Sequence, residues 1–138
     1  MVECIFCKII EGKLPSQKVY EDSYCVAFLD IAPVNKGHTL VVPKEHAELL
    51  DQLSDSSARS LAIALKKLVP AVRAGSRADG INIVQSNGRA AGQLVPHTHF
   101  HIIPRYANDG LRHWPQGSYA SPDEAAQIAE KIRAAAGG

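Results

Sequence analysis

The segment VPHTHFHIIPR, from Val95 to Arg105, places a histidine at every second position from 97 to 101. Side chains alternate between the two faces of a β-strand, so a strand here turns all three imidazoles to one face. Thr98, Phe100 and Ile102 then share the opposite face, which suits a hydrophobic core. Burying an imidazole costs free energy, so three in register indicate a functional site. The segment therefore predicts a strand with one core face and one chemical face.

Two chemistries use imidazoles at this spacing. One is metal binding, because neutral imidazole is a common ligand of zinc and iron. The other is phosphoryl or nucleotidyl transfer, in which a neutral imidazole attacks phosphorus while its neighbours neutralise the phosphate oxygens. The preceding loop, SNGRAAGQ at residues 86–93, is rich in small residues and amides and holds no carboxylate to complete a metal shell. It suits a phosphate more than a metal.

Further strands are predicted on either side of the histidines. Residues 18–30 read as a hairpin, with KVYE and YCVAFLD joined by a turn at Asp22-Ser23. HTLVVP at residues 38–43 and INIVQ at residues 81–85 are compact apolar strands. Short strands joined by tight turns favour an antiparallel sheet over a doubly wound parallel one.

Two helices are predicted. A long central helix begins at about Asp55, and its buried stripe is Leu61, Leu65, Leu68 and Val72. Pro70 is expected to kink or shorten that helix. A C-terminal helix begins at the capping box of Ser121 and Glu124 around Pro122 and runs over Ala125, Ile128, Ala129 and Ile132. Gly137-Gly138 is expected to fray. Together these elements predict one α+β domain over residues 1–138.

Composition narrows the classes of function. The chain has 138 residues, 46% of them hydrophobic, with 15 basic and 14 acidic side chains. The near balance of charge argues against binding to a DNA or RNA duplex or to an anionic membrane surface. The apolar runs are too short to cross a bilayer, and the acidic start around Glu3 is unlike a signal peptide. We therefore expect a cytoplasmic protein.

The three cysteines fit a reducing compartment better than a disulfide framework, because their number is odd and two of them form a CxxC pair. Cys4 and Cys7 have the spacing of half a zinc site; a redox-active pair is the alternative. Cys25 lies in an apolar run and is expected to be a buried thiol. His113 has no partner visible in the sequence.

The chain resembles the histidine triad family, whose mark is His-x-His-x-His followed by two apolar residues. Here these are His97, His99, His101, Ile102 and Ile103. The resemblance also covers FCKII near the start, FLDIAPVNKGHTLVVPKEH at residues 28–46 and SNGRAAGQLVPHTHFHIIPRY at residues 86–106. It implies a five-stranded antiparallel sheet, a homodimer, and hydrolysis or transfer at the α-phosphate of a purine nucleotide or nucleotide conjugate.

The resemblance also implies roles for single residues. His99 is the nucleophile that forms a nucleotidyl-imidazole, and His101 bonds the phosphate oxygens. An imidazole suits nucleophilic attack on phosphorus because, with a pKa of about 6.5, it is largely neutral at neutral pH. The remaining site residues are Gln93 and Asn87 at the phosphate, His38 as a nearby proton donor, Asp30 at the ribose, and Phe28 and Ile31 on either side of the base.

In members of the family with an N-terminal CxxC, a structural zinc is held by residues matching Cys4, Cys7, His46 and His97. This arrangement assigns His97 to the metal and leaves His99 and His101 for the phosphate. Two thiolates and two imidazoles fill a tetrahedral shell, so no position remains for a catalytic water.

One position departs from the family pattern: Leu94 stands where many members have a serine or threonine that can bond the phosphate. The leaving group is either an amine, as in nucleoside phosphoramidates, or a phosphate chain, as in dinucleoside polyphosphates. The ending HIIPRY-x-x-DG-x-x-x-W is more similar to the second branch. Two other hypotheses are a nucleotide-binding regulatory module with little turnover and a metalloenzyme that uses all three histidines as ligands.

Overall fold

The computed structural model describes residues 3–137. Its centre is a five-stranded antiparallel sheet in the order β1-β2-β3-β5-β4. The strands are β1 (Lys18–Glu21), β2 (Cys25–Leu29), β3 (Thr39–Pro43), β4 (Gly80–Gln85) and β5 (Phe100–Arg105). The predicted α+β class with a five-stranded antiparallel sheet is confirmed.

Three helices accompany the sheet: α1 (Ile5–Ile10), α2 (Asp55–Ser76) and α3 (Pro122–Ala135). Ser54 caps α2, since its hydroxyl accepts a hydrogen bond from the backbone N–H of Ser57. The C-cap of α2 is Arg77, the residue after Ser76, which adopts the left-handed conformation at φ 55°. The predicted start of α3 is confirmed, because the Ser121 hydroxyl accepts from the N–H of Glu124.

The two faces of the sheet carry different cores. On one face, α2 packs its buried side chains against alternate strand residues; this cluster contains Cys25, Ala27, Val41, Leu61, Ala64, Leu65, Leu68 and Ile102. On the other face, α1 covers Val26, Phe28, Leu40 and Val42 with Cys4 and Phe6. Cys25 is fully buried, as predicted, and burial raises the pKa of its thiol to about 12.

The hairpin prediction is confirmed in detail. Asp22 occupies the turn, and its Oδ1 accepts hydrogen bonds from the backbone N–H groups of Tyr24 and Cys25, both at 2.7 Å. An aspartate that bonds the backbone two and three residues ahead is a typical turn former. The residue types at positions 22 and 23 therefore determine where β1 ends and β2 begins.

Two expectations need correction. Helix α2 is not shortened at Pro70 but continues to Ser76, and a kink at Pro70 stays a prediction. Pro70 lies on the exposed side, where water can bond the carbonyl left without a partner four residues earlier. Strand β5 begins at Phe100, so His97 and His99 precede it. The backbone N–H of Thr98 donates to the carbonyl of Ala47 (2.7 Å), beyond the end of β3.

The remaining expectations concern the C-terminal glycines, His113, membrane-spanning helices and the number of domains. Gly137 is described, in a turn at φ 83°, whereas the expected fraying of Gly138 lies outside the described residues. His113 is exposed. Within residues 3–137, no helix combines the length and hydrophobicity needed to cross a membrane. That the chain forms a single domain stays a prediction.

Candidate active site

A cavity of about 370 Å³ lies on the α1 face of the sheet, next to the histidines. His99 and His101 line it with their imidazole rings, and Asp30 contributes a carboxylate. The other lining residues are mostly apolar: Ile5, Phe6, Ile9, Pro15, Ser16, Phe28, Leu29, Ile31, Ala32, Leu40, Gly92, Leu94 and Val95. An apolar pocket with a few convergent polar groups is the usual form of a small-molecule site.

A larger cavity, of about 610 Å³, lies on the opposite side of the sheet between α2 and strands β1 to β3. Leu68 and Val72 form its apolar wall, with Lys36 at one side. No histidine, cysteine or carboxylate lines it. We therefore place the candidate site in the smaller cavity, where the titratable groups converge.

The protonation of His99 follows from one hydrogen bond. Its Nδ1 lies 2.7 Å from the backbone carbonyl of His97, and a carbonyl can only accept. Nδ1 therefore carries the proton, which leaves Nε2 with a free electron pair. Phe6 packs edge-on against the His99 ring, with centroids 5.0 Å apart. His99 is 8% exposed and lines the cavity, so the ring is held in one orientation at its edge.

His38 and His101 form a directed pair. The backbone N–H of Val34 donates to His38 Nδ1 (3.1 Å), so neutral His38 carries its proton on Nε2. His38 Nε2 lies 2.8 Å from His101 Nδ1 and therefore donates to it. Neutral His101 must then carry its own proton on Nε2. The His101 ring lies beside His99, with centroids 4.9 Å apart, which places an N–H donor next to the unprotonated Nε2 side of His99.

Both imidazoles of this pair are neutral at neutral pH. Burial, with smaller contributions from the nearby His99 and His38, lowers the pKa of His101 to about 4. Burial also lowers the pKa of His38, partly opposed by the Asp30 carboxylate, whose Oδ2 lies 3.6 Å from His38 Nε2. The pair therefore acts through hydrogen bonds rather than through a full positive charge.

Asp30, His38 and His101 bring ligand atoms within 4.8 Å of one another, which raises the question of a second metal site. A metal on His38 Nε2 would require the proton to move to Nδ1, where it would face the N–H of Val34. Two donors would then oppose each other. The cluster is better explained as a hydrogen-bonded chain.

The nucleotide-facing residues expected from sequence lie at this cavity in part. Phe28 is 3% exposed and Ile31 is 99% exposed, and both line the cavity with Asp30 between them. Asp30 Oδ1 accepts from the N–H of Ala32 (2.9 Å), which orients its carboxylate. An aromatic and an aliphatic residue flanking one opening suit a flat, apolar ligand group.

Gln93 and Asn87 take structural positions beside the cavity. Gln93 Oε1 accepts from the N–H of Gly88 (2.7 Å), and its Nε2 donates to the carbonyls of Glu48 (2.7 Å) and Val95 (3.1 Å). Asn87 Oδ1 accepts from the N–H of Leu50 (2.9 Å). Neither residue lines the cavity, whereas Leu94 does so and is 90% exposed. Their direct contact with phosphate stays a prediction.

Cys4, Cys7, His46 and His97 converge as the sequence predicts, with all four ligand atoms within 4.8 Å of one another. The separations are 3.4 Å from Cys4 Sγ to His97 Nδ1, 3.3 Å from Cys7 Sγ to His46 Nδ1, and 3.0 Å between the two Nδ1 atoms. In a tetrahedral zinc shell the edges are roughly 3.3–3.8 Å, so the two sulfur–nitrogen separations match and only the edge between the two Nδ1 atoms has to widen slightly. The donor set therefore fits zinc.

The surroundings of the cluster also fit a metal. His97 Nε2 donates to the carbonyl of Pro43 (2.9 Å), which leaves Nδ1 unprotonated toward the thiols. Burial, with Cys4 beside it, raises the pKa of the Cys7 thiol to about 11. A thiol with that pKa needs a cation to ionise at neutral pH, which a bound zinc supplies.

Sequence reasoning did not identify the contribution of α1. Ile5, Phe6 and Ile9 form one wall of the cavity, and the Phe6 ring contacts both His97 (centroids 6.0 Å apart) and His99. The signal was present in IFCKII, where apolar residues recur at helical spacing. Its shortness, only 6 residues, kept it below what periodicity alone can resolve.

The fold and the site define an α+β protein with imidazoles of a histidine triad at the wall of a mostly apolar cavity. Its chain belongs to the HIT domain family, because the family model matches residues 11–108. An adenosine 5'-monophosphoramidase of Schizosaccharomyces pombe is 45% identical over 95% of this chain and 96% of its own length. An uncharacterised HIT-like protein of Methanocaldococcus jannaschii is 55% identical over 78% of this chain and 82% of its own.

Solved structures agree with this assignment. The crystal structure of a HIT-family protein from Bacillus subtilis superposes with a TM-score of 0.88 at 42% identity, covering 96% of each chain. A zinc-bound histidine triad family protein from Mycobacterium smegmatis superposes with a TM-score of 0.75 at 34% identity, covering 95% of this chain and 96% of its own. The predicted family and fold are confirmed.

Proposed function

We propose that the protein hydrolyses nucleotide conjugates at the α-phosphate through a nucleotidyl-histidine formed on His99. The observation that carries this proposal is the pairing of two ring nitrogens with opposite roles. The carbonyl of His97 leaves His99 Nε2 free to attack, and His38 leaves the proton of His101 on Nε2, where it can bond a phosphate oxygen. Neither role requires a change of protonation before substrate binds.

The reaction runs in two balanced steps. In the first, the electron pair of His99 Nε2 forms a bond to phosphorus, the bond from phosphorus to the leaving group breaks, and the leaving group takes up a proton from solvent. In the second, water attacks the same phosphorus, the bond to Nε2 breaks and the proton lost by the water returns to solvent, which restores neutral His99 and releases a nucleoside monophosphate. His101 stabilises the phosphate oxygens in both steps.

The leaving group is proposed to be an amine, as in a nucleoside phosphoramidate. Among the described residues, no lysine or arginine lines the cavity, so the several negative charges of a polyphosphate chain would have no cationic partner there. The S. pombe relative is named for the same reaction class. The similarity of the chain's ending to dinucleoside polyphosphate hydrolases makes that class the alternative substrate.

The nucleotide is proposed to bind with its base between Phe28 and Ile31 and its ribose hydroxyls on Asp30. All three residues line the cavity, and stacking on apolar surfaces accepts more than one base, with a purine giving the larger contact. Gln93 is proposed to act indirectly, by fixing the backbone of the loop at residues 86–93, because its side-chain oxygen accepts a hydrogen bond from the N–H of Gly88.

A rapid-quench experiment tests the nucleophile. Mixing the protein with adenosine phosphoramidate and quenching within milliseconds should give intact protein with one added adenosine monophosphate, located on His99 by peptide mass analysis. His99→Asn should lose the adduct and at least about 10³-fold in kcat, the scale for removal of a nucleophile. His113→Asn is the matched control, because His113 is exposed and outside the cavity. Wild-type turnover by His99→Asn would exclude the covalent route.

We also propose that the chain is a zinc-containing member of the family, with structural zinc on Cys4, Cys7, His46 and His97. Bound zinc supplies a closed tetrahedral link between α1 and the segment that leads into β5. His97 offers Nδ1 to this cluster and its carbonyl to His99. The zinc-bound M. smegmatis structure supports the assignment.

Metal analysis tests the zinc proposal. The dialysed protein should contain about one zinc per chain, and Cys4→Ser with Cys7→Ser should lose it. Cys25→Ala is the control, since Cys25 is a buried thiol outside the cluster. Alkylation of Cys7 should be faster after chelation than with zinc bound, and it is measured at alkaline pH because the raised pKa keeps the free thiol protonated at neutral pH. Full metal loss without any change in thiol reactivity would contradict these ligands.

Homodimer assembly and a cytoplasmic location are further proposals. Exposed Ile83 and Val84 on the edge strand β4, 48% and 38% accessible, support association, and three free cysteines support a reducing compartment. Light scattering on the purified chain tests the first, because a monomer mass at micromolar concentration would contradict it.

A further inference from the structure

The loop between β2 and β3, residues 30–38, is here called the nucleotide loop. It begins with Asp30 and Ile31 at the cavity and ends with His38, the donor to His101. Ala32, Val34 and Lys36 within it are exposed. Apolar packing therefore does little to hold this loop, and its position must depend on hydrogen bonds.

Asn35 joins the nucleotide loop to the end of strand β5. Its side-chain Nδ2 donates one hydrogen bond to the carbonyl of Pro104 (2.8 Å) and another to Asp109 Oδ2 (3.2 Å). Its own carbonyl accepts from the backbone N–H of His38 (3.0 Å). Both amide hydrogens and the backbone carbonyl are thus engaged, so Asn35 connects His38 to β5 by a short path.

Asp109 holds this connection in place and is here called the anchor. Besides Asn35, its carboxylate accepts from Arg105 Nε (2.8 Å) and Nη2 (3.1 Å) and from the backbone N–H groups of Tyr106 and Leu111 (both 3.0 Å). The side chain is 8% exposed. The Arg105 hydrogen bonds, with the two backbone donors, hold the pKa of Asp109 well below its usual range. The anchor therefore keeps its charge.

The anchor is bonded to the end of the strand that carries the phosphate-facing histidine. His101 belongs to β5, and Pro104 and Arg105 end that strand. The N–H of Val34, next to Asn35 in the chain, determines which nitrogen of His38 is protonated. A shift of the nucleotide loop relative to β5 would therefore disturb both the tautomer of His38 and its alignment with His101.

We propose that Asn35, held by Asp109 and the carbonyl of Pro104, is a positioning residue that sets the orientation of His38 and, through it, the protonation site of His101. The role deepens the hydrolysis proposed for this cavity and depends on it for its catalytic consequence. Asn35 itself does not line the cavity.

The test compares Asn35→Ala with Asn82→Ala. Asn82 is the matched control because its Oδ1 accepts from Arg105 Nη1 (2.6 Å) on the other side of the same cluster, with no hydrogen bond to the nucleotide loop. Amide hydrogen exchange at Val34 and His38 should be about tenfold faster in Asn35→Ala and within about twofold of wild type in Asn82→Ala. The ring nitrogen shifts of His38 should move toward a tautomer mixture only in Asn35→Ala.

Kinetics supply the second readout. With adenosine phosphoramidate, Asn35→Ala should lower kcat by about tenfold, more than it raises KM, because the misplaced groups act at the phosphate. Because turnover is itself a proposal, the exchange and ring-nitrogen measurements report on the loop even if the wild-type protein hydrolyses nothing. Unchanged exchange and unchanged His38 shifts in Asn35→Ala, or equal changes in Asn82→Ala, would overturn the positioning role.

Discussion

Backbone groups, rather than other side chains, determine the protonation of three histidines in this protein. The carbonyl of Pro43 accepts from His97, the carbonyl of His97 accepts from His99, and the N–H of Val34 donates to His38. A backbone partner cannot ionise or change rotamer. Each ring therefore presents a defined nitrogen before any ligand arrives, which reduces the reorganisation needed during reaction.

His101 should make stability depend on pH in a defined window. Its pKa is lowered from 6.5 to about 4 in the folded state, so between these values the unfolded chain binds more protons. Folding free energy is then lost as the pH falls from 6.5 toward 4, and it is fully present above 6.5. Denaturant unfolding at pH 4.5 and 7 measures the loss, which should be roughly 2 kcal/mol for this group after allowance for partial exposure.

His101→Asn is the comparison that isolates this effect, because other titrating groups remain in both proteins. The variant should show a shallower fall in stability over the same pH interval. Equal pH slopes in the two proteins would mean that His101 keeps an ordinary pKa in the fold.

At this scale the sequence identifies residue types better than contacts. The spacing of His97, His99 and His101 and the CxxC pair indicate, from local pattern alone, the residues that the structure brings together at the cavity and in the cysteine–histidine cluster. The amide of Gln93 is different, since its partners Gly88, Glu48 and Val95 depend on how three separate segments meet. The predicted contact of Gln93 with phosphate therefore came from the family resemblance. In the structure, the Gln93 side chain instead bonds the backbone of the segments around it.

At the scale of elements, α2 offers a matched pair of substitutions. Leu61 is 1% exposed and belongs to the core, whereas Ile63, two residues later, is 65% exposed. Leu61→Ala should lower the free energy of unfolding by about 2–5 kcal/mol, because it opens a cavity against the sheet. Ile63→Ala should change it by less than about 0.5 kcal/mol. Urea unfolding measures both, and similar losses would show that Ile63 is covered in solution.

Element boundaries show where sequence patterns are insufficient. The hairpin and α3 are predicted well, because Asp22 and Ser121 fix their ends by local hydrogen bonds. The start of β5 is not predicted well, because it depends on where the neighbouring strand β3 ends. The ladder between them ends at the pairing of Val41 with Phe100, so alternation of residue types continues past the strand itself.

At the scale of the whole molecule, α3 stands apart from the core. It has no buried residue, and Ile132 is 63% exposed. A chain ending at Ala120 should therefore keep the free energy of unfolding of the full chain within about 1 kcal/mol. Thermal and urea unfolding of both chains measure this. A loss of several kcal/mol would show that α3 packs against another surface in solution, a second copy included.

The strand order has a consequence for how the chain folds during synthesis. Strand β5 is the last in sequence, yet it lies between β3 and β4. Until residue 105 has left the ribosome, β3 and β4 cannot join one sheet, and both keep open edges that can pair with other chains. Closing this gap is a long-range event, which slows folding. The segment that completes the sheet also carries His99 and His101, so the nascent chain gains its chemistry and its protection from aggregation in the same step.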